Sequence, residues 1–169
     1  INGKCAYEYR KNLGIELAKE ADIKADLVVP VPDSGVPASL GYAEESGKQF
    51  ELGLIRNHYV GRTFIEPTQN IRSLGVKLKL SSTKTIVKNK SIILIDDSLV
   101  RGTTCHKIVK MLYEAGAKEI HVRIACPEIK FPDFYGVDMP TKKELLAHEK
   151  SLDEMSNYIK AKSLKFLSI

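Results

Sequence analysis

At 169 residues, with 43% hydrophobic and 28% charged side chains, the chain has the size and composition of one globular domain with a sizeable core. No apolar run approaches the roughly 18 residues a membrane span needs. Three widely spaced cysteines, Cys5, Cys105 and Cys126, argue for reduced thiols in a cytoplasmic protein and against a zinc site. The net charge of +5 is concentrated: between Arg56 and Lys90, eight Lys or Arg stand against one acid, Glu66. That implies an anionic partner at this segment, not a generally basic, nucleic-acid-coating protein.

Tyr7, Leu13, Leu17 and Ala18 fall near helical spacing, which predicts a helix over residues 7 to about 20. Leu27 to Val31 reads as a short apolar strand stopped by Pro30 and Pro32. A helix follows from Gly35 to about Ser46, ended by Gly47. Phe50–Ile55 reads as a second strand. Residues 57–90 are long, polar and poorly periodic, and are expected to form a functional loop. Ile92–Asp96 reads as a third strand, fit for burial on both faces. Thr104–Ala115 reads as a helix with Ile108, Val109, Met111 and Leu112 on one face and Gly116 as its stop; Glu119–Ala125 reads as a fourth strand. From Phe131 the tail changes character, with a helix near Ser151–Lys162 and a last apolar stretch, Leu164–Leu167, expected to cap the sheet edge. Alternating strands and helices predict an α/β fold with a mostly parallel, doubly wound sheet. The first residues, Ile1-Asn2-Gly3-Lys4, lack an initiator Met, and the chain is expected to be a piece of a longer protein.

The chemistry concentrates between Ile92 and Thr104. A buried strand ends in two adjacent carboxylates, Asp96 and Asp97, and Ser98 to Thr104 then opens a helix through Arg101-Gly102-Thr103-Thr104. In an open parallel sheet, ligands bind at the carboxyl ends of strands. A Gly-Thr-Thr turn at a helix N-terminus offers amides, hydroxyls and a positive dipole end, which suit a phosphate. A capping box is the plain alternative, but Lys107 stands where its Glu would be needed. Two acids beside a phosphate cradle suit sugar hydroxyls or a magnesium ion. Pro32-Asp33-Ser34-Gly35 repeats the arrangement of strand, turn and helix after the first strand and can form an amide nest for an anion. The histidines His58, His106, His121 and His148 are scattered, and none is assigned a catalytic role.

The 92–104 pattern resembles the ribose-phosphate loop of the type I phosphoribosyltransferases. Val29-Pro-Val-Pro-Asp-Ser-Gly35, Asn57-His-Tyr-Val-Gly-Arg-Thr-Phe-Ile65 and Glu128 to Pro140 narrow the likeness to the amidophosphoribosyltransferases, the glutamine-dependent enzymes that open purine synthesis. The resemblance implies a type I phosphoribosyltransferase fold with a flexible catalytic loop (57–90) and a small C-terminal cap (131–169). It implies that Asp96 and Asp97 bind the ribose hydroxyls of phosphoribosyl pyrophosphate and help hold Mg2+. The turn of Ser98, Arg101, Gly102, Thr103 and Thr104 would wrap the 5-phosphate. Asp33, Ser34 and Gly35 would hold the pyrophosphate, with Ser34 a third contributor to the metal. Arg62 would reach the pyrophosphate when the loop folds over, and Tyr59 and Ile65 would help close the site and line an ammonia route.

By the same resemblance, ammonia displaces pyrophosphate at ribose C1, with Arg62, Tyr59, Asp96 and Asp97 as the catalytic group. The glutaminase domain of such enzymes is absent from this chain. Homo-oligomers inhibited by purine nucleotides are expected by analogy. No iron–sulfur cluster is expected, because Asp133 stands where cluster-bearing members have a cysteine. Two rivals share the 92–104 motif: a phosphoribosyltransferase that uses a nucleobase, and a non-catalytic phosphoribosyl-binding or RNA-binding regulator. Against RNA, only Tyr59 and Phe64 could stack near the basic segment.

Overall fold

The computed structural model describes residue 3 and residues 5–57, 80–133 and 141–168. In chain order the elements are α1 (Ala6–Ala21), β1 (Leu27–Pro30), α2 (Val36–Ser46), β2 (Gln49–Phe50), β3 (Leu54–Arg56), β4 (Leu80–Ser82), α3 (Lys84–Val87), β5 (Ser91–Asp96), α4 (Thr103–Glu114), β6 (Glu119–Ile124), a 3-10 turn (Lys142–Glu144), α5 (Leu146–Glu149), α6 (Leu152–Ile159) and β7 (Ser163–Phe166). Five strands make one sheet in the order β2-β1-β5-β6-β7. Each neighbouring pair is parallel.

Both faces of this sheet are covered. Ile92 and Leu94 join Val29, Ile120 and Val122 in a core closed by Ile108 and Leu112 of α4 and by Met155 and Ile159 of α6. The intervening Ile93 and Ile95 join Val28 in a second core, closed by Leu17 and Ala18 of α1 and Tyr42 of α2. Successive residues of a strand face opposite ways, so a strand buried on both faces must be apolar throughout; Ile92 to Ile95 meet that condition, and all four are fully buried. Gly47 ends α2 in the left-handed conformation at φ 65°.

The strand expected over Phe50–Ile55 is two strands. Gly53 stands between them, and only β2 joins the main sheet; β3 pairs antiparallel with β4 in a separate ribbon. The last part of the expected 57–90 loop is regular: β4 and α3 pack Leu80 and Val87 into the core. Residues 58–79, the greater part of that loop, lie outside the described residues. The tail supplies α5 and α6 beside α4 and then adds β7 to the sheet next to β6.

β6 carries two buried polar side chains, His121 and Arg123, on the α1 side. Arg123 donates to the Ala21 carbonyl at the end of α1 (2.8 Å), to the Val122 carbonyl (2.9 Å) and to Ser163 Oγ (3.0 Å). Ala21 ends a helix, where carbonyls lack intrahelical partners and a cation is favoured. The Tyr42 hydroxyl donates to the same carbonyl at 2.9 Å, and burial pushes its pKa up to about 12.

Candidate functional site

From β1 the chain runs through α2 to β2 on one side, and the later strand β5 lies on the other side of β1. The carboxyl ends of β1 and β5 therefore flank a topological switch point, where open α/β sheets form their ligand crevice. The turn 32–35 leaves β1 there, and the turn 97–102 leaves β5 there. Both turns singled out in the sequence thus meet at one place.

Contacts between them are direct. The Val31 amide donates to the Ile95 carbonyl at 2.8 Å, and Ser34 Oγ donates to Asp96 Oδ1 at 3.5 Å. Gly35 sits so close to the Ile95 carbonyl that a Cβ could not be accommodated without movement. Asp96 Oδ1 also accepts from the Asp97 amide at 2.9 Å, and Ser98 Oγ donates to Asp97 Oδ1 at 3.1 Å. Burial, and next the charge of Asp97, push the Asp96 carboxyl up to about 7. A cation between the carboxylates would offset both causes. Ser34 Oγ, Asp96 and Asp97 offer hard oxygen donors, the chemistry magnesium takes, and this ion needs few protein ligands. Among the described residues, no group of three or more His, Cys, Asp or Glu side chains is placed to bind a metal, so a magnesium site here would be completed by ligand and water oxygens.

The phosphate turn is built around Gly102, at φ 72°, which precedes α4 with no side-chain cap. The left-handed conformation strongly favours glycine there. Thr103 and Thr104 are exposed in the first helical turn, and Gly102 is buried beneath them. The first amides of α4 are thus left for an anion, with the positive end of the helix dipole behind them.

Of the site residues read from the sequence, Asp33, Ser34, Gly35, Asp97, Ser98, Arg101 and Gly102 lie on these two turns, Asp96 ends β5 beside them, and Thr103 and Thr104 open α4. Asp33 is exposed and paired with Arg56 Nη1 at 2.6 Å. Arg101 is paired with Glu144 Oε2 at 2.9 Å. Tyr59, Arg62 and Ile65 lie outside the described residues.

Three neighbours escaped the sequence reading. Arg56, at the end of β3, puts a guanidinium beside the first turn. Cys126 follows β6; its thiol accepts from the Leu99 amide and, through burial first, is pushed up to about 11. Glu144 comes from the tail. Arg56 was visible as part of a basic segment, but its partner lies 23 residues away. Nothing local marks Cys126 or Glu144.

Residues 6–160 match the family model of the phosphoribosyl transferase domain. The chain is 58% identical over 170 aligned residues to the amidophosphoribosyltransferase of Rhizobium etli, covering 100% of this chain and 34% of that protein. It is 53% identical over 169 residues to the chloroplastic amidophosphoribosyltransferase of Glycine max, covering 100% and 30%. The solved structure of glutamine phosphoribosylpyrophosphate amidotransferase from B. subtilis, complexed with ADP and GMP, superposes with a TM-score of 0.86 at 51% identity, over 96% of this chain and 36% of that one. The chain therefore spans about a third of the length of the curated relatives it matches. With the family model matched from α1 into the tail, the chain belongs to the phosphoribosyl transferase domain family.

Proposed function

We propose that this chain is the phosphoribosyl-transfer domain of a glutamine-dependent amidophosphoribosyltransferase. It would replace the pyrophosphate of phosphoribosyl pyrophosphate with an amino group, giving 5-phosphoribosylamine, the first step of purine synthesis. The observation that carries the reading is the 58% identity to a protein of that name across the whole chain. The geometry agrees with the donor half: one turn suited to a phosphate, one suited to a second anion, and an acid pair between them.

In this reading Asp96 and Asp97 accept hydrogen bonds from the ribose hydroxyls and fix the sugar. Ser98, Arg101, Gly102, Thr103 and Thr104 hold the 5-phosphate. Asp33, Ser34 and Gly35 hold the pyrophosphate, joined by Arg62 when its segment closes; Tyr59 shields the reacting carbon from water. Magnesium, held by Ser34, Asp96 and Asp97 when bound, would supply positive charge to the leaving pyrophosphate. Catalysis then rests on positioning and on charge neutralisation as the C1–oxygen bond breaks, without a covalent protein intermediate. Residues 57–90 serve as the catalytic loop and 131–169 as the cap. A glutaminase domain elsewhere in the full-length protein, homo-oligomers in the cytoplasm, and purine nucleotides as inhibitors belong to the same proposal.

The test measures pyrophosphate release from phosphoribosyl pyrophosphate with ammonia, adenine, guanine, hypoxanthine or orotate as acceptor. Ammonia alone should support turnover. Turnover with a nucleobase and none with ammonia would replace the proposal by a nucleobase transferase; binding without turnover by any acceptor would favour a regulator.

A further inference from the structure

We propose that Glu144 is a positioning residue for the phosphate turn, and that the tail from the 3-10 turn to α6 is the brace through which it acts. The inference rests on the reading of residues 98–104 as a phosphate cradle.

Three consecutive residues of that turn are each held by the tail. The Leu146 amide donates to the Val100 carbonyl at 2.9 Å. The Glu144 carboxylate forms an ion pair with Arg101, Oε2 to Nε 2.9 Å. At Gly102, a Cβ would lie 2.7 Å from Leu146 Cδ2 and 3.1 Å from Tyr158 Cε1, so these side chains form the wall behind it. One turn further on, Tyr158 reaches α4: its carbonyl lies 2.9 Å from His106 Nδ1, and the two rings are 6.0 Å apart.

These contacts set directions. In a trans peptide the C=O and the following N–H point opposite ways. With the Val100 carbonyl turned to Leu146, the Arg101 amide on the same peptide is turned away from the tail. An anion cradle needs amides aimed at the anion and carbonyls aimed elsewhere. The Glu144 pair holds the next side chain, and Leu145 beside it is fully buried, which ties the 3-10 turn to the core. Both Arg101 and Glu144 are about half exposed, so their pairing contributes little to overall stability. Its consequence falls on the geometry of the loop, where small displacements matter most to binding.

The experiment compares the wild-type protein with Glu144→Gln, Glu144→Asp and Tyr158→Leu, by kinetics and by equilibrium titration. Glu144→Gln should raise KM for phosphoribosyl pyrophosphate about three- to tenfold, with kcat within about twofold. Its Tm should stay within about 2 °C of wild type. Binding of ribose 5-phosphate should weaken in parallel, while pyrophosphate alone, which addresses the other turn, should bind as before. Glu144→Asp should recover part of the affinity, and Tyr158→Leu should weaken ribose 5-phosphate binding in the same sense. Unchanged or tighter ribose 5-phosphate binding in Glu144→Gln would overturn the proposal, as would equal losses for pyrophosphate. If wild-type protein binds neither ligand, it is the phosphoribosyl reading that fails.

Discussion

Ser34 Oγ donates to Asp96 Oδ1 across 3.5 Å, joining two turns 62 residues apart in sequence. Asp96 sits where an ionised carboxylate is costly, and its folded pKa of about 7 lies above the ordinary 3.8. The sign follows from proton linkage. Below the unfolded value both states are protonated, and the folded state carries no penalty. As pH rises, the unfolded chain releases this proton first, so stability is lost progressively until the folded carboxyl ionises near 7. Asp96→Asn removes the titration. Without divalent cation or ligand, the variant should be more stable than wild type at pH 8, by up to about 4 kcal/mol. The gap should shrink toward pH 5. Thermal unfolding at both pH values checks it, and a gap independent of pH would refute the assignment. The same variant should bind phosphoribosyl pyrophosphate at least about tenfold more weakly.

The elements around the site were legible because their patterns are local. Ile92 to Ile95 are apolar on both faces, Gly47 and Gly116 stop helices, and Gly102-Thr103-Thr104 announces a helix start with free amides. What lay hidden depends on distance or on brevity. β3, β4 and α3 have only three or four residues each, too short to show a period. His121 and Arg123 alternate with Ile120, Val122 and Ile124 in sequence, a pattern that suits an exposed polar face, yet both are buried. The pairs Arg56–Asp33 and Arg101–Glu144 join segments that no spacing rule connects.

Arg123 ties the end of α1 to β6 and β7 while buried. Arg123→Met would keep much of the side-chain volume but remove three donated hydrogen bonds. The Ala21 carbonyl keeps Tyr42 as a partner, so the loss is partial. A destabilisation of about 1–3 kcal/mol is expected. Denaturant unfolding measures it. A change below about 0.5 kcal/mol would mean that the cost of burying the guanidinium cancels what its bonds contribute.

His121 should contribute to loss of stability in acid. Burial first, and then the Arg123 charge, hold its pKa below 6.5. Arg123 donates to Ser163 Oγ, which leaves the Ser163 proton for His121 Nδ1 at 2.9 Å, an arrangement suited to a neutral ring. Above pH 6.5 the ring is neutral in both states and its full contribution is present. Below that value the unfolded chain takes up the proton first, so stability falls with pH until the folded ring is also charged. His121→Gln keeps an acceptor for Ser163 and removes this titration. The fall in Tm between pH 7 and pH 5 should be smaller in the variant; an identical fall would remove His121 from the acid response.

Gly102→Ala should separate the phosphate turn from the rest of the site. The position has φ 72°, and the new methyl would meet Leu146 Cδ2 at 2.7 Å and the Tyr158 ring at 3.1 Å. Backbone strain in this region costs on the order of 1–3 kcal/mol. Overpacking costs a similar amount unless Leu146 and Tyr158 move aside. Either adjustment shifts the first amides of α4, whereas the turn after β1 is closed by its own hydrogen bond, from the Gly35 amide to the Val31 carbonyl at 2.9 Å. The variant should therefore lose affinity for ribose 5-phosphate by about tenfold or more and keep its affinity for pyrophosphate. Calorimetric titration of each ligand distinguishes these outcomes. Parallel loss of both would mean that the two turns respond as one unit, through the Ser34–Asp96 contact, and not as separate anion sites.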